Sequence, residues 1–334
     1  MTQPAEIPFQ QLIEALLDAD TPLHPRYLYR LSDLEDPELS ILKSTWPRLP
    51  LWRRQALMED IEDLSSRDTL LSFVSLASFA AQDENAKVRL LAVHTLWDYD
   101  DNNLIPVFLD LLDVEHDPTV RAAVAGALGQ FVYAGEVDEI PAATLQKIED
   151  RLLDLMHSDQ PDTVRRSALE SLGFSSRDEI PALIEGAFAS EDKDWKASAL
   201  HAMGRSANTE WNPHILTMLE SPHPMLRSEA ARAAGELEIS EALPLLLELL
   251  EDPDETTRLA SIWSLSQIGG EGVREILEQM YEEADEEQEI SFLEDALDNL
   301  TFTEGSQLMP LFDFPDGDEN DLDLLIEDDE DLEY

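Results

Sequence analysis

Histidines and clustered acidic residues are the side chains of this sequence that could take part in chemistry. The chain has seven histidines and no cysteine, and the lack of cysteine excludes disulfides and thiolate metal sites. His94 and His201 occupy the same position in two copies of a repeated segment. Those copies lie three repeats apart, so a shared metal ion would need further ligands between them. We therefore expect no metal ion and no cofactor.

Motifs that usually mark catalysis or phosphate binding are missing from the sequence. It contains no Gly-x-Ser-x-Gly, no Gly-x-Gly-x-x-Gly and no His-Glu-x-x-His. One glycine-rich segment, residues 269–272, follows a predicted helix rather than a strand. We interpret it as a turn that ends that helix. With no catalytic residues to assign, we expect a protein that is not an enzyme.

The acidic end of the chain contains a near-match to a calcium-binding loop. Asp316, Asp318, Asn320 and Glu327 stand at the first, third, fifth and twelfth positions of an EF-hand-like loop. The sixth position is Asp321, where that loop needs glycine, and no predicted helix flanks the segment. Because an acidic segment gives such matches by chance, we predict no specific calcium site there.

A recurring segment must position whatever the chain binds. Its clearest copy is residues 117–129. A basic residue recurs at the same place in successive copies, and the spacings between these basic residues are 32, 44, 31, 31 and 31 residues. Self-similarity at such a period predicts a solenoid of stacked repeats. The basic residues are Arg89, Arg121, Arg165, Lys196, Arg227 and Arg258.

Each copy predicts two helices joined by a short Asp-rich turn. Counted from the basic residue, positions −1, +3, +4 and +7 are apolar or small, which places them on one stripe of a helix. Asp117 is the predicted N-cap of that helix, and Pro118 lies in its first turn. A second apolar segment precedes each copy. One such unit cannot bury its own apolar face, whereas stacked units can.

The pattern resembles HEAT repeats, and most closely the short type known from the phycobilin lyase family. The Asp-Pro-x-Val-Arg turn at 117–121 and the Leu-Gly pairs at 128–129 and 172–173 carry the resemblance, which covers roughly residues 35–302. It implies an all-α fold, a right-handed α-solenoid of about eight HEAT-like helix-turn-helix repeats. It implies little about function, because these repeats serve many unrelated tasks.

Composition and repeats divide the chain into three parts. Residues 1–34 are predicted to form an N-terminal helical cap, and residues 35–302 the solenoid. Residues 303–334 are rich in Asp and Glu and poor in aromatic residues, which predicts an acidic disordered C-terminal tail.

Three repeats have individual features. In the first, Arg53 takes the position of the repeated basic residue. The second helix of the third repeat is predicted over 119–133. In the fourth, Pro141 lies 24 residues before Arg165, against 15 for the equivalent pairs of the third and fifth repeats. The extra residues predict a longer first helix, around 144–156.

Charge excludes some classes of partner. The net charge is −51, and the body remains strongly acidic without its last 22 residues, which hold 12 acids and no base. Binding to nucleic acid or to an anionic membrane requires Lys and Arg, so neither is expected. The acidity serves either solubility in a salt-rich cytoplasm or attraction of a basic protein. The N-terminus lacks a secretory signal and no apolar segment is long enough to span a membrane, so we expect a cytoplasmic monomer.

The repeated basic residue is interpreted as structural. It lies beside the Asp-rich turn, where a series of ion pairs could tie adjacent repeats together. Removing one such arginine is expected to reduce stability rather than ligand binding.

The side of the second helices opposite the apolar stripe comprises positions +2, +5 and +9. In HEAT-like stacks this side usually lines the concave surface, and here its residues differ between repeats. Such variation fits a surface for one extended partner, although a drifting solvent face would also vary. Aromatic residues and Arg are enriched among interface anchors. The partner-binding candidates on this concave face are Phe174, Arg205, Arg232, Trp263, His94 and His201.

The tail carries an apolar cluster, Leu322, Leu324, Leu325 and Ile326, within its acidic residues. Such a segment suits docking on a helical groove. It is predicted to contact the chain's own concave groove or a separate basic protein; the alternative is a tail that only increases solubility.

The leading functional hypothesis is a non-enzymatic protein–protein interaction scaffold or adaptor, which binds a partner on the concave face. The alternative, an enzyme subunit or chaperone related to the phycobilin lyases, depends on the resemblance alone. A third hypothesis, a nucleic-acid protein like some HEAT-like glycosylases, needs a basic groove that this acidic chain does not offer.

Overall fold

The computed structural model describes residues 7–97 and 99–308. Within these ranges all regular secondary structure is helical, and no strand is found. The chain divides into two compact units, one up to Leu237 and one from Glu238. No helix in the described ranges is long and apolar enough to cross a membrane.

In the part of the chain that the structure describes, a cap is followed by eight helix pairs and one additional short helix. The first unit contains α1 (Phe9–Leu17), α2 (Glu38–Thr45), α3 (Leu51–Arg67), α4 (Val74–Ala80), α5 (Ala86–Leu96), α6 (Leu104–Val114), α7 (Pro118–Ala127), α8 (Gly129–Glu136), α9 (Ala142–His157), α10 (Asp162–Leu172), α11 (Ile180–Phe188), α12 (Lys193–Arg205), α13 (Asn212–Leu219) and α14 (Pro224–Glu236). The second contains α15 (Leu243–Leu249), α16 (Glu255–Ile268), α17 (Val273–Glu283) and α18 (Glu287–Leu308). The predicted all-α solenoid of helix-turn-helix repeats is confirmed.

Each repeat pairs a first helix with a second helix across a polar turn. The pairs are α2–α3, α4–α5, α6–α7, α9–α10, α11–α12, α13–α14, α15–α16 and α17–α18. The Asp117 carboxylate accepts hydrogen bonds from the backbone N–H groups of Thr119 and Val120, as an N-cap should. Asn85 and Asp192 cap α5 and α12 in the same way. The side chains of the turns therefore fix where the second helices begin.

Small residues bring consecutive second helices into backbone contact. A Cβ atom on Gly173 would lie 2.7 Å from the Cα of Ala202, and one on Gly204 would lie 2.9 Å from the Cα of Ala233. In the first unit the most extensive backbone contacts are accordingly those of α7 with α10 and of α12 with α14. The predicted apolar stripe forms the core, where Val124, for example, is fully buried.

The predicted N-terminal cap is helical. Leu12 and Leu16 of α1 are fully buried, and a 3-10 helix, Pro25–Leu31, follows and buries Leu28. Arg53 donates hydrogen bonds to two carbonyl oxygens of this cap, those of Asp18 and Thr21, at 2.5 and 2.6 Å.

One helix differs from its predicted extent, one agrees with it, and one crosses a predicted domain boundary. The second helix of the third repeat breaks after Ala127 and resumes as α8, because the Ser171 hydroxyl donates to the carbonyl of Ala125 at 2.8 Å. The predicted long first helix of the fourth repeat is confirmed by α9. The last helix, α18, runs to Leu308 and so crosses the predicted boundary between residues 302 and 303. The rest of the tail, with its calcium-loop match and apolar cluster, lies outside the described residues.

The repeated arginines bind backbone carbonyls of their own repeat. Arg121 Nη1 donates to the carbonyls of Leu112 and Glu115, at 3.0 and 2.8 Å. Arg227 donates to Ser221 O at 2.8 Å, and Arg258 to a carbonyl of its turn at 2.9 Å. The structural interpretation of this residue fits these contacts, although the shared contact lies within a repeat rather than between repeats.

Two arginines of the first unit tie their own repeat to the turn of the next. Arg89 forms a two-pronged ion pair with Glu115 of the next turn, at 2.6 and 2.8 Å. Arg54 pairs with Asp83 at 2.6 Å. The first repeat therefore uses Arg54 for this contact and not the predicted Arg53, which lies on α3 and binds the cap.

Candidate functional site

Four of the six predicted binding residues converge in the first unit. His201 and Arg205 lie on α12, Arg232 lies on α14, and Phe174 directly follows α10. All four are partly exposed. We call the surface formed by these four residues and the side chains that contact them the inner face, because it lies along the closely packed second helices.

An arginine stacked on aromatic rings forms one end of this cluster. The Arg205 guanidinium lies 4.8 Å from the centroid of the Phe174 ring, within cation–π range. Phe174 packs edge-on against Tyr133 of α8 at 5.4 Å, and Tyr133 remains 52% exposed. Arg205 Nη1 also donates to the carbonyl of Glu170 at 3.0 Å. Burial lowers the pKa of Arg205.

A carboxylate shared by two bases forms the other end. Glu229 lies on α14; Arg232 Nη1 donates to one of its oxygens, and His201 Nδ1 lies 3.3 Å from the other. Desolvation favours the protonated acid, but the hydrogen bond from His201 and the charge of Arg232 outweigh it. The pKa of Glu229 therefore lies below its ordinary value of 4.5. This acid fixes the positions of both bases.

A second acid, Glu236, behaves in the opposite way. Desolvation raises its pKa, and the nearby charges of His201 and Arg205 offset this only in part. The Glu236 side chain is nevertheless exposed to water. The Glu236 carboxylate lies against Gly204 of α12, where an added Cβ atom would clash with it.

The other two predicted residues lie elsewhere. His94 of α5 places Nδ1 2.9 Å from Glu62 and its ring beside Trp97. Trp97 is 40% exposed and lies across Gly126, where a Cβ atom would come within 3.0 Å of the indole. Trp263 belongs to the second unit, where its ring packs 6.2 Å from Phe292. His94 thus has neighbours other than those of the four residues above, and the ring contact of Trp263 lies within the second unit.

Several residues of the inner face were not among those predicted. Tyr133 stands at position +12, outside the repeat positions considered, +2, +5 and +9. Glu229 is at position +2 and Glu170 at position +5, so a search for charged residues in those positions would have found both acids. The Ser198 hydroxyl, also at +2, donates to Glu170 at 2.5 Å.

The chemistry of the inner face suits recognition. Two of its acids, Glu229 and Glu170, are bound to bases or to a hydroxyl, while its aromatic side chains keep exposed surface. Within residues 7–97 and 99–308 no group of three His, Asp or Glu side chains could hold a metal ion. The predicted turn at 269–272 is seen between α16 and α17, with Gly269, Gly270 and Gly272 at positive φ.

Stacked helix pairs with closely spaced second helices define a class of α-helical repeat protein. A family model for HEAT repeats matches residues 74–173, 180–249 and 212–297, which together make up more than half of the chain. The chain therefore belongs to the HEAT-repeat family. HEAT repeats commonly act as protein-interaction scaffolds. No curated protein matches the sequence.

Solved structures resemble the chain only distantly. Human deoxyhypusine hydroxylase in complex with glycerol is 16% identical over 78% of this chain and 95% of its own, with a TM-score of 0.34. YibA from Escherichia coli is 16% identical over 90% and 99%, with a TM-score of 0.38. An engineered protein is 16% identical over 88% of both chains, also with a TM-score of 0.38. Likeness at this level concerns the fold, so no activity is transferred from these proteins.

Proposed function

We propose that the protein is a non-enzymatic scaffold that binds another protein on the inner face of its first unit. The observation that carries this proposal is the set of aromatic and Arg side chains exposed there, Tyr133, Phe174, Arg205 and Arg232. Such residues supply most of the energy at protein interfaces. Their rings and guanidinium groups are held by contacts within the chain, so less entropy is lost when a partner binds.

The partner proposed is a basic protein. The chain has a net charge of −51, which attracts positively charged proteins over long distances and accelerates their encounter. On the inner face Glu236 has a raised pKa because it is desolvated. The positive charge of a Lys or Arg of the partner placed beside it would offset the cost of that desolvation and favour the ionised acid.

A photo-crosslinker tests where the partner binds. Benzoylphenylalanine replaces Tyr133 in one variant and Tyr29, an equally exposed tyrosine of the N-terminal cap, in the control. Position 133 should yield one discrete crosslinked partner that position 29 does not. With that partner purified, Tyr133→Ala and Arg205→Ala should each raise Kd about tenfold or more, while Tyr29→Ala leaves it unchanged.

Equal crosslinking at positions 29 and 133 would contradict the proposed site. So would an unchanged Kd in both inner-face variants. A partner that binds with unchanged affinity when the NaCl concentration is raised from 50 to 300 mM would leave the site intact but contradict a basic partner, because attraction between opposite charges weakens with salt.

The alternative is an enzyme subunit or chaperone related to the phycobilin lyases, with repeats of the short lyase type. It is supported by the resemblance of the turn and Leu-Gly residues. Mixing the pure protein with a bilin tests it directly: a shifted bilin absorption band that persists through gel filtration would favour this alternative over the scaffold.

A further inference from the structure

The turns of the second and third repeats enclose a groove that is unlike its neighbours. We call it the open groove; it is lined by residues 81–89 and 106–118 and has a volume of about 960 Å³. The groove between the first and second repeats has a volume of about 320 Å³. The difference has a cause in the sequence.

Equivalent ion pairs establish the correspondence between the two grooves. In the smaller groove Arg54 binds Asp83 of the following turn, with N–O 2.6 Å apart. In the open groove Arg89 binds Glu115 of the following turn, also at 2.6 Å. Each pair joins the second helix of one repeat to the turn of the next, so residues counted from these pairs occupy matching places.

Aromatic residues fill the smaller groove and are missing from the matching places of the open groove. Trp46 stands eight residues before its arginine, and Phe79 stands four residues before its acid. The two rings pack edge-on at 5.5 Å. In the open groove the same places hold Ala81 and Leu111. Replacing Trp by Ala removes an indole, which accounts for much of the extra space.

A third groove, between the fourth and fifth repeats, is also occupied by a tryptophan, although from a different position. Its volume is about 310 Å³, and Trp195, which lies on α12 of the fifth repeat, places its ring 5.1 Å from the Arg165 guanidinium. The lining of the open groove contains an arginine and no tryptophan.

The lining of the open groove combines apolar side chains with acids. Val114 is 68% exposed, an unusual exposure for a large aliphatic side chain. The groove's cation, Arg89, is already bound by the buried Glu115. The remaining charged groups on the lining are therefore mainly acids. The apolar lining comprises Ala81, Ala86, Pro106, Val107, Leu111, Val114 and Pro118, and the acids near the rim are Glu84, Asp110 and Asp117.

We propose that the open groove binds an aromatic side chain of a partner protein, flanked in the partner's sequence by Lys or Arg. The aromatic ring takes the place that Trp46 occupies in the neighbouring groove. The flanking cations lie against the acidic rim, which complements their charge. This site lies among the turns and not on the inner face, so it is a second binding surface and does not depend on the function proposed above.

A tripeptide titration tests the groove on the full-length protein. The probe is acetyl-Lys-Trp-Lys-amide, and the readout is the amide NMR spectrum of isotope-labelled protein. Saturable shifts are expected at residues 81–86 and 106–117. Two control peptides should each bind at least about tenfold more weakly. Acetyl-Lys-Ala-Lys-amide lacks the aromatic ring, and acetyl-Glu-Trp-Glu-amide reverses the charge.

Variants that fill or recharge the groove complete the test. Ala81→Trp places in the groove the residue found at the matching place of its neighbour and should abolish the shifts. Should that variant fail to fold, Asp110→Arg, at an exposed position, should weaken binding by about tenfold, while Asp178→Arg, an exposed site outside the groove, leaves it unchanged.

Equal binding of the Trp and Ala peptides would overturn the proposal, as would an unchanged affinity of Asp110→Arg for the Trp peptide or shifts that lie outside the two segments. The peptide-free protein provides a further check. If dilution alone shifts the same amide signals, the groove is occupied by a second copy of the chain, and the proposal of a separate partner is wrong.

Discussion

The turn arginines and the inner-face arginines of the first unit differ in their partners. Arg121 and Arg227 donate to backbone carbonyls of their own repeats. Arg205 donates to a carbonyl of the preceding repeat, that of Glu170, and also stacks on the ring of Phe174, while Arg232 binds the side chain of Glu229. Every repeat offers backbone carbonyls, whereas a particular side chain belongs to one repeat. The turn contact can therefore recur, while the inner-face contacts give each repeat an individual surface.

This difference predicts that turn arginines stabilise the fold and inner-face arginines serve binding. The largest loss of stability is expected for Arg54→Ala. Its partner Asp83 has a fully buried side chain, and the substitution would leave that carboxylate without its ion pair. Loss of one member of a buried pair costs about 3–5 kcal/mol. Chemical denaturation measures it.

Arg67→Ala is the matched control, because Arg67 pairs with Asp63 on the exposed surface of the same helix and should cost less than about 1 kcal/mol. Equal losses of stability in the two variants would show that burial of the Arg54–Asp83 pair does not account for its contribution to stability.

A somewhat smaller loss of stability is expected for substitutions in the hydrophobic core. Leu128 and Ala168 are fully buried. Leu128→Ala leaves a cavity and Ala168→Asp buries a charge, and each should reduce the free energy of unfolding by about 2–4 kcal/mol. Thermal melts followed by circular dichroism measure both. A variant that melts like the wild type would show that the assigned helix face is wrong.

Inner-face variants should affect stability little. Arg232 is among the more exposed bases of its cluster, so Arg232→Ala should cost less than about 1 kcal/mol. The same variant should weaken binding of the partner captured at Tyr133, measured by calorimetry. A loss of stability as large as that of Arg54→Ala would place Arg232 with the turn arginines and remove the distinction.

The smallest expected effect is a difference in pH dependence between two acids of the inner face. The pKa of Glu229 is lowered in the folded protein, so its ionised form stabilises the fold above about pH 4.5, and this is lost as pH falls. The pKa of Glu236 is raised, so stability is lost as pH rises through that pKa.

At pH 7 Glu229→Gln should therefore melt below the wild type and Glu236→Gln above it. Both differences should shrink as the pH approaches 3.5. Melting curves of the three proteins across this range provide the measurement; differences of the same sign would show that the two acids have similar surroundings.

Local sequence was enough to predict the repeats, their turns and the apolar stripe, because these depend on helical period and on capping residues such as Asp117. The long helix α9 followed from the spacing of Pro141 and Arg165. The break between α7 and α8 could not be predicted, since it depends on a hydrogen bond from Ser171, 46 residues from its acceptor.

The inner face was predictable in part. Helical period placed Phe174, His201, Arg205 and Arg232 on one side of the second helices, and the structure brings them together. Tyr133 escaped because α8 is an additional helix of the third repeat, so its position cannot be counted from the repeat pattern. The sequence also did not show that Trp263 belongs to a second compact unit, because the division into two units depends on packing.

Backbone contact between second helices has a mechanical consequence. At Gly173 and Gly204 the neighbouring helix lies too close for even a methyl group, so the spacing between these helices cannot shorten. Bending that would press these helices together is therefore blocked. The line through Phe174, Arg205 and Arg232 cannot shorten as the unit flexes, so a partner bound along it would not meet its anchors closer together than they lie here.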